Sequence, residues 1–227
     1  MMMKPQIDVK GFRLSKLNQK QYRHLWLLAF WPLFGVFFKI LEDAFAGPYH
    51  PVRCALDDAI PFCEWFLLPY LFWFVFLAGS LAFAAIFAPN TFRRTMAFIM
   101  LTYIVTGIVY LVYPTCQQLR PLEFPRDNVL TRLTEWIYTI DTNTNVCPSI
   151  HVIGSFAALF ALLDSGVFHK RPVWQIVCWL ITILICASTV FLKQHSALDI
   201  VFALPLCLVG YLTCFVHWKE ISKKRNN

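Results

Sequence analysis

The stretch NVCPSIHVIGS, Asn145 to Ser155, puts a histidine one helical turn inside what reads as a membrane span. Imidazole is a poor guest in hydrocarbon. Pro148 is of a type favoured at the first helical position, so the helix should begin there and carry His151 in its first turn. Backbone N–H groups in a first turn lack helix partners, and the positive end of the helix dipole faces whatever lies beyond. The N–H groups of Ser149, Ile150 and His151 are therefore expected to form a place suited to an anion such as phosphate.

The rest of the chain explains why this helix should lie in a membrane. Of its 227 residues 58% are apolar and only 15% charged, and the mean hydropathy is +0.57. A span needs roughly 20 apolar residues to cross about 30 Å of hydrocarbon. Six blocks qualify: His24 to Leu41, Trp65 to Ala88, Met96 to Val112, Ile150 to Leu163, Val173 to Leu192 and Leu198 to Trp218, the fourth being short. The expected fold is an all-α integral membrane protein, a bundle of six transmembrane helices with short helices in the outer loops. Residues 1–22 read as an N-terminal tail, 23–218 as the membrane domain and 219–227 as a basic C-terminal tail. No cleavable signal peptide is expected, because a polar basic stretch precedes the first block. Trp and Tyr in such numbers suit interfacial anchoring.

The net charge of +7 does not point to nucleic acid. The cations cluster in tails and short connections: Lys4 to Arg23 before the first block, Arg93 and Arg94 between the second and third, Lys170 and Arg171 between the fourth and fifth, and Lys219, Lys223, Lys224 and Arg225 at the end. Positive residues favour the cytoplasmic side, so both termini are expected inside, with a plasma-membrane location. The tails could also hold anionic lipid. Loops on the opposite side carry mixed charge and are long, and long ordered loops are usually functional. The first contains EDAFAGPYHPVRCALDDAIPFCEW and should include a short helix at the membrane surface. The second, Pro114 to Pro148, has Leu130, Leu133, Trp136 and Ile137 at helical spacing. Of eight cysteines, Cys178, Cys186, Cys207 and Cys214 fall in spans and need no function. A bridge between Cys116 and Cys147 would tie the ends of the second outer loop, a pairing that the sequence leaves open, and no spacing resembles a zinc site.

Polar residues at the outer ends of the last three spans could carry chemistry. His195 and Asp199 are four apart, so on a helix they share a face, and the carboxylate would fix the imidazole tautomer and make the other nitrogen a better nucleophile. Lys193 adds a cation and Arg120 a planar donor suited to phosphate. His151 falls on the same membrane face. His24, His169 and His217 fall on the other and read as interfacial, while His50 sits among prolines with no evident partner.

These residues resemble a family. Arg120–Pro121, PSIH at 148–151 and STVFLKQHSALD at 188–199 are similar to the three-part signature of the type-2 phosphatidic acid phosphatase superfamily, Lys-x6-Arg-Pro, Pro-Ser-Gly-His and Ser-Arg-x5-His-x3-Asp. The resemblance implies six spans and an extracytoplasmic site, with His195 as the nucleophile that becomes phosphorylated, Asp199 orienting it and His151 protonating the leaving oxygen. Arg120, Lys193 and Ser149 would bind phosphate, with no metal or other cofactor required. Three positions depart from the pattern: Tyr113 stands for the leading lysine, Ile150 for glycine and Thr189 for arginine. This thinner pattern, with DDAIPF in the first outer loop, is more similar to the branch containing inositol phosphorylceramide and sphingomyelin synthases. The expected activity is a lipid phosphatase acting on a phosphomonoester or diphosphate, with headgroup phosphotransfer by the same triad as the alternative. The expected partners are a phosphorylated lipid substrate and membrane lipids. A non-catalytic lipid-binding descendant, or a metal hydrolase using His151, His195 and Asp199 as ligands, are the rival classes; oligomeric state is not legible.

Overall fold

The computed structural model of the protein describes residues 4–44 and 47–218. The long elements are α1 (Phe30–Ala44), which continues a 3-10 stretch from Arg23, then α3 (Leu67–Phe87), α4 (Pro89–Val112), α6 (Ile150–Asp164), α7 (Pro172–Phe191) and α8 (Ala197–Tyr211), which runs on as a π-helical segment to His217. Two short strands, β1 (His50–Pro51) and β2 (Thr115–Cys116), and two shorter helices, α2 (Ala55–Ala59) and α5 (Val129–Ile140), fill the two long connections. Among the described residues, five helical stretches are long and apolar enough to cross a membrane: Arg23–Asp43, Glu64–Phe87, Pro89–Val112, Pro172–Phe191 and Ala197–His217. This is the build of an all-α membrane protein.

The remaining apolar helix, α6, has 15 residues and is the axis of the bundle. It packs against α3, α4, α7 and α8, and Val152, Ile153, Ala157, Ala158 and Leu159 are fully buried. Small residues allow this. At Gly154 an added Cβ would sit 2.8 Å from the Trp73 ring, so a bare backbone is what lets that indole lie against α6. The helix begins where Ser149, not Pro148, caps it: the Ser149 hydroxyl accepts the Val152 N–H. Two tyrosines of α4 fix the approach, Tyr110 donating to the Pro148 carbonyl at 2.6 Å and Tyr103 to that of Ile150 at 3.3 Å. At its other end Asp164 accepts from Arg94 and from Thr91, the latter at 2.7 Å.

Some expectations shift. Arg93 and Arg94 do not lie in a connection before α4; the helix starts at Pro89, a residue suited to that position, and holds them near its first turn. His24 is not a solvated interfacial residue but is 3% exposed, bonded at 2.9 Å to the Ala85 carbonyl where α3 nears its end. The N-terminal stretch is tied down in part, with the Gln6 N–H bonded to Ile86 O and the buried Tyr22 hydroxyl to Asp8 O. Its C-terminal counterpart, 219–227, lies outside the described residues.

The long connections meet as one layer over the end of the bundle where α6 and α8 begin. Strands β1 and β2 pair in parallel, His50 opposite Thr115 and Pro51 opposite Cys116, and Cys116 also bridges Thr144. His50 does have a partner: its ring stacks on Tyr113 at 3.9 Å. The helix expected from Leu130, Leu133, Trp136 and Ile137 is α5, capped by the Asn128 side chain. Leu130 and Ile137 pack against Leu67, Tyr70 and Leu192, while Leu133 and Trp136 face outward. Cys116 and Cys147 are free buried thiols, as are all the cysteines of the chain in the sense of carrying no disulfide.

Candidate active site

His195 lies in the turn between α7 and α8. Lys193 there adopts a left-handed conformation (φ 54°), and the Gln194 and His195 N–H groups both donate to the Thr189 carbonyl at 2.9 and 3.0 Å. That turn closes α7 and throws the imidazole inward. The next helix is started by a capping box: the Ser196 hydroxyl accepts the Leu198 N–H, and the Asp199 carboxylate accepts the Ser196 N–H at 3.1 Å. The same carboxylate oxygen accepts from His195 Nδ1 at 2.9 Å. The pair expected to share a helical face is thus joined differently. His195 precedes the helix, and the cap geometry brings Asp199 back to it.

With Nδ1–H given to Asp199, the lone pair of His195 is on Nε2. That atom is 3.3 Å from His151 Nδ1 and 3.4 Å from Ser149 Oγ. One ring comes from the first turn of α6 and the other from the turn before α8, and their centroids are 5.5 Å apart. Both histidines are 6% exposed and Asp199 is fully buried. His151 is walled by Tyr70 and Trp73, at 4.8 and 4.6 Å between ring centres. These histidines belong to a packed site, not to a solvated edge.

The first turn of α6 is narrower as an anion site than the sequence suggests. The Ser149 N–H donates to the Asp199 carbonyl at 3.2 Å, tying α6 to α8, and the Val152 N–H is capped by Ser149. The Ile150 and His151 N–H groups remain ahead of the first helix bond, Ile153 N–H to Ser149 O.

The two cations are near this region but committed. Arg120 donates to the carbonyls of Tyr138 (2.9 Å) and Asp141 (2.5 Å) and to Gln194 Oε1 (2.6 Å), and its guanidinium lies 4.3 Å from the centre of the Tyr138 ring. Its buried Nε has no hydrogen-bond partner, and burial draws its pKa below the ordinary arginine value. Lys193 donates to the Asp57 carbonyl at 2.7 Å and to that of Ile60, closing the end of α2; burial lowers its pKa, against the pull of Asp57 and Asp58.

Asp57 carries a role that sequence reasoning missed. Its carboxylate accepts from the Ser196 hydroxyl at 2.6 Å and the Ala197 N–H at 2.8 Å, at the start of α8, and from the Cys54 N–H at 2.8 Å. Burial raises its pKa, yet these hydrogen bonds outweigh that and leave it below the usual carboxylate value. The motif DDAIPF was visible, but which of its acids turns inward depends on contacts with α8 distant in sequence. Tyr70 and Asp141 also form a hydrogen bond beside His151. The Cys147 thiol is pushed up to about 12 by burial and by the neighbouring Asp199, a value that leaves it protonated and a poor nucleophile.

Among the described residues no group of three or more His, Cys, Asp or Glu side chains is arranged to hold a metal ion. No protein-family model, no curated protein and no solved structure matches this chain.

Proposed function

We propose that the protein is a membrane lipid phosphatase working through a phosphohistidine, a member of the type-2 phosphatidic acid phosphatase superfamily in which α6 is a sixth crossing, both termini are cytoplasmic and the histidine pair is extracytoplasmic. The observation that carries this reading is the contact between His195 Nε2 and His151 Nδ1 at 3.3 Å, with Asp199 on the far nitrogen of His195. Asp199 keeps the His195 Nε2 lone pair available for attack on phosphorus. A P–N bond forms as the P–O bond to the lipid breaks, and His151, entering this step as the imidazolium, gives its Nδ1 proton to the departing oxygen and becomes the neutral imidazole. Water then attacks the phosphohistidine, gives its proton to His151 and releases phosphate. General acid catalysis of this kind contributes about 10²–10⁴-fold. Substrate must part the two imidazoles to enter, and the Ile150 and His151 N–H groups are placed to receive phosphoryl oxygens. Arg120 and Lys193 support the walls in this arrangement and would reach phosphate only by releasing their carbonyls.

A second reading, transfer of the phospho-headgroup to a lipid hydroxyl, is favoured by the burial of both imidazoles, since excluding water lets an alcohol compete for the intermediate. The test is purified protein in detergent with phosphorylated lipids, with and without alcohol acceptors, scored for released phosphate, new lipid and an acid-labile phosphoprotein. His195→Ala should abolish the phosphoprotein and turnover, and His151→Ala should lower turnover by at least about a hundredfold, with both variants still inserted in the membrane. Near-normal turnover in either variant would remove the role given to that residue.

A further inference from the structure

A cleft of about 540 Å³ runs between the first helical stretch and α3, lined by Leu28 and Trp31 on one side and by Trp73, Ala78, Ala82 and Ala85 on the other, with Phe92 at the far end. All of these side chains are aliphatic or aromatic. Ala78, Ala82 and Ala85 recur at i, i+4 and i+7, so they share one face of α3. A small-residue face of this kind usually lets two helices come into close contact. Here the neighbouring helix stays away: α1 packs on α4, and Ala78 and Ala82 remain exposed. The small side chains therefore leave a channel where a tight helix pair would otherwise form.

The upper end of this channel is the wall of the histidine site. Trp73 lines the cleft and its ring also lies 4.6 Å from that of His151. From Trp73 to Ala85 the channel follows α3 for twelve residues, about 18 Å at 1.5 Å per residue. Half of the hydrocarbon thickness of a bilayer is about 15 Å. The polar groups of these lining side chains are the indole N–H groups of Trp31 and Trp73, which offer water no acceptor, and water needs two or more partners to be held.

We propose that this cleft receives one hydrocarbon tail of the lipid whose phosphate lies at His151 and His195, and that Ala78 and Ala82 determine the tail it accepts. This rests on the phosphohistidine reading given above. The tail lies along α3 and Trp73 marks the level at which it joins the headgroup.

Two measurements on the full chain separate this from its parent reading. In the first, kcat/KM is compared for dioleoyl and dihexanoyl phosphatidic acid. Ala82→Leu should lower the dioleoyl-to-dihexanoyl ratio by about tenfold, the scale of misfit caused by small changes in an apolar pocket. An unchanged ratio in an active variant overturns the tail site. In the second, which needs no turnover, phosphatidic acid carrying a diazirine at the end of one chain is photocrosslinked and the labelled peptides are mapped. Label concentrated around Leu28, Ala85 and Phe92, and reduced in Ala82→Leu, supports the site. Label spread evenly over the lipid-facing helices, or equal label from a diazirine phosphatidylcholine, shows only bulk lipid and overturns it. Concentrated label with no hydrolysis or transfer would leave the cleft standing and remove the enzymatic reading.

Discussion

Asp57 shows how one side chain of the first outer segment holds the turn that bears His195. It gathers the Ser196 hydroxyl and the N–H groups of Ala197 and Cys54, so the turn bearing His195 is fastened to the first outer segment. Because the folded-state pKa of Asp57 is depressed, the stabilisation is complete above the ordinary carboxylate value near 4 and is lost as the pH falls through the folded value. Tryptophan fluorescence followed from about pH 6 to pH 3 should show the outer layer loosening at the acid end. Asp57→Asn should flatten that acid limb and lower stability at neutral pH by about 1–3 kcal/mol, measured as thermal unfolding in detergent. That His151, His195 and Asp199 lie together was expected from their common membrane face and from the four-residue spacing of His195 and Asp199, but that spacing suggested a shared helical face, whereas a helix cap joins the pair. The Asp57 clamp was not legible, because its partners lie 139 and 140 residues away along the chain. The partners of Arg120 were hidden for the same reason: a lone arginine in a loop looks available until Tyr138, Asp141 and Gln194 are found around it.

At the scale of elements, α6 decides the site because it is enclosed by α3, α4, α7 and α8 and, unlike α1 and α8, is not prolonged by a neighbouring helical segment. Its first turn carries His151, its cap binds to the cap of α8 through Ser149 and Asp199, and its second turn offers Gly154 to Trp73. Gly154→Ala would drive a methyl group into the Trp73 indole, which lies against both α6 and the His151 ring. Overpacking of this kind costs about 1–3 kcal/mol. Since the same ring lies against His151, the variant should also lose turnover out of proportion to its fall in thermal stability, read by comparing both in one preparation. The apolar blocks placed every long helix except α4 to within about three residues, as continuous hydropathy should, whereas α4 begins at Pro89 and not near the expected Met96. The early start of α4 was not visible, because Arg93 and Arg94 look like a connection until Asp164 is found opposite Arg94. The inward face of α5 was hidden as well: its apolar spacing marks a helix but does not say that Leu130 and Ile137 turn in while Leu133 and Trp136 turn out.

For the molecule as a whole, the two ends of the bundle are fastened in different ways. At the end away from the histidines, Arg94 and Asp164 form an ion pair with side chains 14% and 6% exposed, joining α4 to α6. Removing one partner leaves the other charge buried, so Arg94→Leu should destabilise the protein by about 3 kcal/mol with the histidine geometry intact, seen as a lower unfolding temperature and unaltered substrate affinity. At the histidine end the fastening is spread over a layer: the paired strands, the α2 helix closed by Lys193, and Glu64 accepting from Arg126 and Asn128. Leu122 stands fully clear of that layer on the long second connection. This difference has a practical side for anyone wishing to attach an epitope or fluorophore to the protein. A graft after Leu122 would hang from an exposed corner, whereas one between Asp58 and Cys63 would pry Lys193 from its two carbonyls and unseat the turn that bears His195, so a silent tag belongs at the former place.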